Sequence, residues 1–301
     1  MSLELELKYL IGAADVTQLA ELLQVYATPT GQASHTLLNA YFDTADKWFR
    51  QHDMGLRTRQ KQGRFEQTIK LSGQQHGALQ IRPEYNVPCN DEVPQLAAFP
   101  KEIWPKDTDV TALQQQLIEL FRTDFTRQRW LLTLPDAVLE VVYDHGEVRA
   151  GVRRQAISEI EIELIEGEAE QVFNLAEFLL KALPMRTGWL SKAARGYQLF
   201  QNITTPRPEP LGESGELLQH VRYLQQIETC FLQEGAPELL LLAEQALQQL
   251  ARILQDDGQQ LLASEARSLA RKLAEEGGLV FNNTVYHQLL LMLSKLLLKS
   301  V

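Results

Sequence analysis

Acidic side chains alternate with apolar ones in two short stretches near the ends of the first 170 residues. The first stretch, LELELKYL, begins at residue 3, and the second, SEIEIEL, begins at residue 158. Their carboxylates belong to Glu4, Glu6, Glu159, Glu161 and Glu163. Consecutive side chains of a strand point to opposite faces, so each stretch predicts one charged and one apolar face. Either the charged face is solvated, as in many antiparallel sheets, or the sheet encloses it.

Basic side chains follow the same alternation in the segments between these two acidic stretches. GLRTR and TRQR each place two arginines on one face, while TIK and IRPE each add one cation. The residues are Arg57, Arg59, Lys70, Arg82, Arg127 and Arg129. A solvated face would carry an unselective mixture, whereas here acid is confined to the first and last strands and base to the middle ones. If the sheet closes, the carboxylates face inward together, beside a wall of cations.

Such an interior would be suited to metal-assisted phosphoryl chemistry. Carboxylates this close together repel one another unless a cation neutralises them. Oxygen ligands without His or Cys suit Mg²⁺ or Mn²⁺, and guanidinium groups bind phosphate oxygens in pairs. The two halves together therefore predict a site where cations and a phosphate chain are held for phosphoryl transfer.

The remaining pattern indicates which elements position these groups. We count about eight strands before residue 166, with hairpin signals at 62–63 and 135–136, and helices at 15–26 and 168–183. An antiparallel sheet of that size tends to curl or close on itself. The fold class expected for this part is α+β, an eight-stranded antiparallel closed barrel flanked by helices.

A stretch rich in Pro, Gly and charge, TTPRPEPLGESGE at 204–216, is typical of a linker. Beyond it the chain is rich in Leu and Gln, and helical runs are expected near 216–233, 237–255, 259–275 and 283–299. These runs predict an all-α helical bundle of four antiparallel helices. The expected domains are therefore 1–203 and 217–301, joined by the linker 204–216.

Composition limits the function classes. The chain has 301 residues, 45% of them hydrophobic, and its formal net charge of −10 argues against general affinity for nucleic acid. Two distant cysteines suggest neither a disulfide framework nor a cysteine metal site, so a reducing cytoplasm is expected. We also expect no signal peptide and no transmembrane segment, and hence no membrane partner.

An ordered set of motifs resembles the CYTH family, the triphosphate tunnel metalloenzymes, and is most similar to its bacterial inorganic triphosphatase branch. The motifs are Glu4-x-Glu6-x-Lys8, Asp53-Met-Gly-Leu-Arg57-Thr-Arg59, Thr68-Ile-Lys70, Arg82-Pro-Glu84, Asp144-His-Gly146, Glu159-Ile-Glu-Ile-Glu163 and Ser191-Lys192-Ala-Ala-Arg195-Gly-Tyr197. The resemblance covers residues 1 to about 200. It implies an eight-stranded β-tunnel that holds a triphosphate and two divalent cations, Mg²⁺ or Mn²⁺.

The resemblance also implies roles for individual residues. Glu4, Glu6, Glu161 and Glu163 would hold the metals and, with Lys8, form the catalytic set. Asp144 and Glu159 would each either bind a metal or pair with a neighbouring Arg. The groups that would bind phosphate oxygens are Lys8, Arg57, Arg59, Lys70, Arg82, Arg127, Lys192 and Arg195.

The implied reaction is hydrolysis of tripolyphosphate to pyrophosphate and phosphate. Alternatives on the same fold are adenylate cyclisation and hydrolysis of thiamine or nucleoside triphosphates, and a non-catalytic polyphosphate-binding module is an alternative of another class. In related proteins a basic, His-rich CHAD domain often follows the tunnel. Here the segment from residue 205 carries eight Lys or Arg against twelve Asp or Glu, so we interpret it as a short, diverged CHAD-like bundle. The oligomeric state is left open.

Overall fold

The structure is a computed structural model that describes residues 2–212 and 215–299. Its strands are β1 Ser2–Leu10, β2 Gly31–Asp43, β3 Gly55–Lys61, β4 Arg64–Lys70, β5 Gln74–His76, β6 Leu79–Cys89, β7 Ile118–Thr133, β8 Ala137–Ala150, β9 Arg153–Gly167 and β10 Arg186–Thr187. Its α-helices are α1 Val16–Tyr26, α2 Trp48–Gln51, α3 Val110–Gln115, α4 Glu170–Ala182, α5 Lys192–Gln201, α6 Leu217–Glu234, α7 Glu238–Asp256, α8 Gln260–Glu276 and α9 Thr284–Lys299. Short 3₁₀ turns complete the set.

Eight strands close into an antiparallel barrel, as the sequence predicts. The order around it is β1-β9-β8-β7-β2-β3-β4-β6, and β6 pairs back to β1. The first and last long strands are therefore neighbours, with Leu7 opposite Ile162 and Lys8 opposite Glu161. The short strands β5 and β10 extend β6 and β1 outside this ring.

The apolar row of each acidic strand packs outward under the flanking helices. Leu7 and Tyr9 on β1, and Ile160 and Ile162 on β9, are fully buried in one core with residues of α1 and α4. Because side chains alternate along a strand, burying this row against helices turns the charged row into the barrel. The enclosed charged face, and not the solvated one, is the observed arrangement.

The turn between β3 and β4 shows how local sequence supports this register. Gln62 and Gly63 have φ values of 51° and 76°, so both turn residues lie in the left-handed region that a two-residue hairpin of type I′ requires. The hairpin sets Arg57 opposite Thr68 and Gly55 opposite Lys70. Cations of the two strands are thereby brought to one face.

The C-terminal helices α6 to α9 share a second core of leucine, alanine and aromatic side chains. Glu216 caps α6 reciprocally with Gln219, and Gly235 ends this helix with a φ of 68°. Within the described residues no helix combines the length and apolar character needed to cross a bilayer. The division at 204–216 stays a prediction, and residues 1, 213, 214, 300 and 301 of the predicted ranges lie outside the described residues.

Candidate active site

A cavity of about 300 Å³ lies inside the barrel, and all eight of its strands contribute to the lining. Eleven of the residues singled out from the sequence meet there. They are Glu4, Glu6, Lys8, Arg57, Arg59, Lys70, Arg82, Arg127, Glu161, Glu163 and Lys192. The fold thus collects side chains from seven sequence segments into one enclosed, highly charged volume.

The pairing of β1 with β9 brings the two acidic stretches together. Glu6 lies opposite Glu163, while Lys8 lies opposite Glu161. On the other side of β1, Glu4 lies opposite Arg82 of β6. The closed barrel therefore brings glutamates that are about 155 positions apart in the sequence into one acidic cluster.

Two of these carboxylates, the buried Glu6 and the half-buried Glu163, have no ion-pair partner within residues 2–212 and 215–299. Among the described residues no Lys, Arg or His nitrogen lies within 4.0 Å of the carboxylates of Glu6 or Glu163. Burial, reinforced by Glu161 and Glu4, raises the pKa of Glu6 to about 7. Burial, reinforced by Glu4 and Glu6, raises the pKa of Glu163 to about 8. We call Glu6 and Glu163 the open pair.

A second acidic group, Asp144, Glu159 and Glu161, is already neutralised, and we call it the filled trio. One oxygen of each carboxylate lies within 4.8 Å of the others, a spacing that could hold a metal ion. However, the Nζ atom of Lys192 lies 2.6, 2.5 and 2.9 Å from Asp144, Glu159 and Glu161. Burial alone would raise the pKa of Glu161, but Lys192 and Arg127 outweigh it and hold that pKa well below its ordinary value.

Arg57 and Arg59 of β3, close to Arg127, form a cationic pole of the cavity. Burial, together with Arg57 and Arg127, lowers the pKa of Arg59 to about 9. Nε of Arg57 is buried and has no hydrogen-bond partner among the described residues. Since a buried donor without an acceptor is unfavourable, this pole is suited to an anion with several oxygens.

Lys70 lies between the acidic cluster and the cationic pole. It pairs with Glu4 and, at 2.9 Å, with Glu84. Burial alone would raise the pKa of Glu84, but Lys70 and Arg57 outweigh it and hold that pKa at about 2. Glu84 is therefore an anion that holds Lys70 through an ion pair, and its charge also acts on Arg57.

Three residues predicted from the sequence to have site roles, Asp144, Glu159 and Arg195, are not among the described residues that line the cavity. Asp144 is fully buried and accepts two hydrogen bonds from Arg127, each 2.7 Å long. Arg195 pairs with Glu159 at 2.9 Å and also donates to the carbonyl of Ala156. Arg129, which follows the cavity arginine Arg127 by two positions, pairs with Glu140.

Several lining residues were not singled out from the sequence as site residues. They are Tyr41, Gly55, Glu66, Gln80, Glu84, Asn86, Phe125, Glu140, Ser191 and Ala193. Glu140 could have been found, because AVLEVVYD alternates and Glu140 shares its register with Glu163. Tyr41 gives no such signal: burial would raise its pKa, but Arg57 and Arg59 outweigh burial and lower it.

A second cavity, of about 380 Å³, adjoins the first. The two share Gly55, Gln80, Arg82, Ser191 and Ala193. Its other lining residues include glutamine amides, Trp189 and Tyr197, with the cation of Arg50 lying 5.4 Å from the Tyr197 ring centre. This second cavity is therefore more aromatic and less ionic than the first.

The donor set of the first cavity fits a hard divalent cation. The open pair offers carboxylate oxygens that lack a cationic partner, and no His or Cys is among the described residues that line the cavity. Oxygen-only ligands of this kind are those that Mg²⁺ and Mn²⁺ prefer.

Comparisons with known proteins agree with this architecture. The family model for the CYTH domain matches residues 2–197. A protein of Haemophilus influenzae named inorganic triphosphatase is 33% identical over 196 residues, which cover 65% of this chain and 54% of that protein. The chain thus spans about half the length of this curated relative.

Solved structures with similar folds are more distant. A candidate adenylyl cyclase from Hippeastrum, described as having a dominant triphosphatase activity, is 18% identical with a TM-score of 0.45, covering 67% of this chain and 98% of that one. A candidate adenylate cyclase from Bacillus halodurans is 21% identical with a TM-score of 0.36, covering 60% and 90%. Because the CYTH model covers well over half of the sequence, this chain belongs to the CYTH family.

Proposed function

We propose that the protein hydrolyses a phosphoanhydride bond of inorganic tripolyphosphate, giving pyrophosphate and phosphate with the consumption of one water. The observation that carries this proposal is the presence of two incompletely paired poles in one cavity. Within the described part of the chain, the carboxylates of Glu6 and Glu163 have no ion-pair partner, the buried Nε of Arg57 has no acceptor, and the pKa of Arg59 is lowered by burial and by neighbouring arginines. A phosphate chain together with its divalent cations would neutralise both poles at once. The name of the Haemophilus influenzae relative supports the same reaction.

We assign binding of the phosphate oxygens to cations that line the cavity. Arg57, Arg59 and Arg127 lie on two strands and would hold the chain from one side. Lys8 lies on β1, and Lys192 at the start of α5. Positioning the chain in a cavity from which bulk water is largely removed would supply much of the catalysis, because phosphoryl transfer depends on orientation and charge neutralisation.

Glu6 and Glu163 are the carboxylates we assign to hold cations. Glu4 and Glu161 are the second members of the two acidic pairs, and each would bind a cation only by exchanging an existing partner, Lys70 for Glu4 and Lys192 or Arg127 for Glu161. Divalent cations held there would neutralise charge on the phosphate chain and activate water for attack on phosphorus. We assign Asp144 and Glu159 to fixing Lys192 and Arg127, since their oxygens are already paired with these cations. Arg195 would in turn hold Glu159.

The second cavity favours a second candidate function, hydrolysis of organic triphosphates. Its amide and aromatic groups adjoin the charged cavity through Gln80, Arg82 and Ser191, where a nucleoside or thiamine group attached to a triphosphate could lie. A purely receptor-like role is disfavoured, because loss of the metal-holding carboxylates would be expected of it and both glutamate pairs are present.

The deciding experiment is phosphate release by the purified protein from tripolyphosphate, pyrophosphate, thiamine triphosphate and ATP, with cyclic AMP measured in parallel. Each substrate is tested with Mg²⁺, with Mn²⁺ and with excess EDTA. Cation-dependent turnover of tripolyphosphate above the others would establish the proposal. Turnover of ATP or thiamine triphosphate alone would establish the second candidate, and binding of tripolyphosphate without turnover would establish a receptor.

A further inference from the structure

One short segment links the barrel, the C-terminal helices and the charged cavity. It comprises residues 186–191, between α4 and α5, and we call it the connecting segment. On the barrel side, its Thr187 pairs with Tyr9 of β1, and its Gly188 donates a 2.9 Å hydrogen bond to the carbonyl of Lys8. A Cβ atom on Gly188 would lie only 3.3 Å from the Lys8 side chain, so the segment packs closely against a cavity residue.

The same segment is held from the other side by α6 and α9. The indole nitrogen of Trp189 donates to the Thr229 hydroxyl of α6 at 2.5 Å. The backbone nitrogen of Thr187 donates to Nδ1 of His287 on α9 at 3.1 Å. Nε2 of His287 lies 2.9 Å from the Phe281 carbonyl, so the ring is the neutral tautomer with its proton on Nε2.

The connecting segment ends immediately before Lys192, whose side chain lines the charged cavity. Ser191 accepts a 3.1 Å hydrogen bond from the backbone nitrogen of Ala194 and caps α5, whose first residue is Lys192. Nζ of Lys192 contacts all three carboxylates of the filled trio. Only three positions therefore separate the indole held by Thr229 from the ammonium held by the trio.

We propose that the C-terminal helices are a positioning element of the active site, with Thr229 and His287 as positioning residues that act on Lys192 through the connecting segment. This inference rests on the proposed function for the role of Lys192 in phosphate binding. A helical appendage without such a role could pack anywhere on the outside of the barrel. Some of its polar contacts lie elsewhere, as where Ser294 accepts from the backbone nitrogen of Ala78. Three of them, however, through Glu228, Thr229 and His287, fall on residues 186–189, which lie just before the start of α5.

The central test is a matched pair at position 229. Thr229→Val keeps the shape of the side chain and removes the acceptor for Trp189, whereas Thr229→Ser keeps the hydroxyl. We expect Thr229→Val to lower kcat/KM for tripolyphosphate about tenfold, because a partly buried indole N–H loses its acceptor. Thr229→Ser should restore it to within about twofold. Leu261→Gln, on α8 with a side chain 82% exposed, is the control and should change nothing.

A readout that does not depend on activity is amide hydrogen exchange over residues 186–195. Thr229→Val should speed exchange there about tenfold without altering exchange in the strands of the barrel. Unchanged exchange in this segment would overturn the proposal. If exchange responds but the wild-type protein neither binds nor hydrolyses tripolyphosphate, the proposed function fails while the coupling through the connecting segment stands.

A double-mutant cycle separates positioning of Lys192 from general destabilisation. Tripolyphosphate affinity is measured by calorimetry for Lys192→Ala, Thr229→Val and the combination, with thermal unfolding as the check that each is folded. If Thr229 acts through Lys192, Thr229→Val should weaken binding less than twofold once Lys192 is absent. Equal weakening in both backgrounds would overturn the inference. A second cycle, in which His287→Leu replaces Thr229→Val, tests the same coupling to Lys192 independently.

Discussion

The open pair and the filled trio are both groups of buried or half-buried carboxylates in or beside one cavity, yet they have opposite electrostatics. In the trio, Lys192 and Arg127 supply internal cations, and the pKa of Glu161 lies well below its ordinary value. In the pair, burial and neighbouring carboxylates raise the pKa values of Glu6 and Glu163 to about 7 and 8. The trio is complete without a ligand, whereas the pair gains most from an incoming cation.

This difference teaches that metal-ligand spacing does not by itself identify a metal site. The spacing of oxygens in the trio would accept an ion, but an ammonium group already lies among them. Nor does a raised pKa identify one: burial also raises the pKa of Glu228 to about 7, although Arg186 and Tyr286 partly oppose the shift, and Glu228 is not among the described residues that line the cavity. The open pair is distinguished by combining a raised pKa with a cavity.

The largest expected effect is on stability, at Asp144. Asp144→Asn leaves Lys192 and Arg127 buried with one carboxylate fewer, and breaking a buried ion pair typically costs about 3–5 kcal/mol. Urea unfolding should show this loss, while calorimetry should show Mn²⁺ affinity within about threefold of the wild type. Unchanged stability with lost Mn²⁺ binding would instead make Asp144 a metal ligand.

Glu6→Gln tests the open pair. We expect the fold to be retained and hydrolysis to fall by about 10²–10³, the range typical for removing one preorganised electrostatic group. Phosphate release and Mn²⁺ calorimetry, with circular dichroism for folding, would measure this. Glu4→Gln should behave in the same way, and full activity in either variant would remove the metal assignment. Glu177→Gln, on the exterior helix α4, is the control.

Glu228 tests whether a carboxylate can have a raised pKa without taking part in metal binding. Its folded-state pKa exceeds the ordinary value, so the folded protein retains a proton that the unfolded chain loses, and stability falls as pH rises from about 4.5 to about 7. The loss should reach about 3 kcal/mol at pH 8. Glu228→Gln should remove this part of the pH dependence in urea unfolding while leaving Mn²⁺ affinity unchanged. A pH profile identical to that of the wild type would contradict the assignment.

The smallest expected effect tests the cationic pole. Arg59→Ala should weaken tripolyphosphate binding about tenfold or more, as loss of a charged hydrogen-bond donor does, and Mn²⁺ binding much less. Its Nε donates at 2.8 Å to Asn39, so Asn39→Ala is the matched variant that perturbs the arginine without deleting its charge. Equal losses for both ligands in Arg59→Ala would mean that the two poles are not separate.

The alternation of charge predicts much of this molecule because its physical basis is local. Glu4, Glu6 and Glu161 could be assigned to one interior from their spacing, since a closed sheet has only two faces. The closing partner of β1, β9, followed from the same pattern. The helices near 170–182 and in the C-terminal region were likewise evident from their apolar periodicity.

What could not be predicted depends on distances between segments. Sequence spacing does not show that Lys192 lies among Asp144, Glu159 and Glu161, because this requires α5 to dock against β8 and β9. Tyr41 and Phe125 carry no charge pattern, although the Lys192 ammonium lies 5.0 Å from the Phe125 ring centre. The two-residue strand β10 is also too short for any periodicity, yet it starts the connecting segment.

The double pairing of β1 has a consequence for how the chain folds. This strand precedes the other strands of the barrel in the sequence, but it forms hydrogen bonds with β6, around residue 82, and with β9, around residue 161. Contacts separated by so much sequence form slowly, because a long loop must be ordered before they are made. Until β6 and β9 are in place, the apolar row of β1 therefore has no partner strand, and an unpaired strand of this kind is prone to aggregation and to chaperone binding.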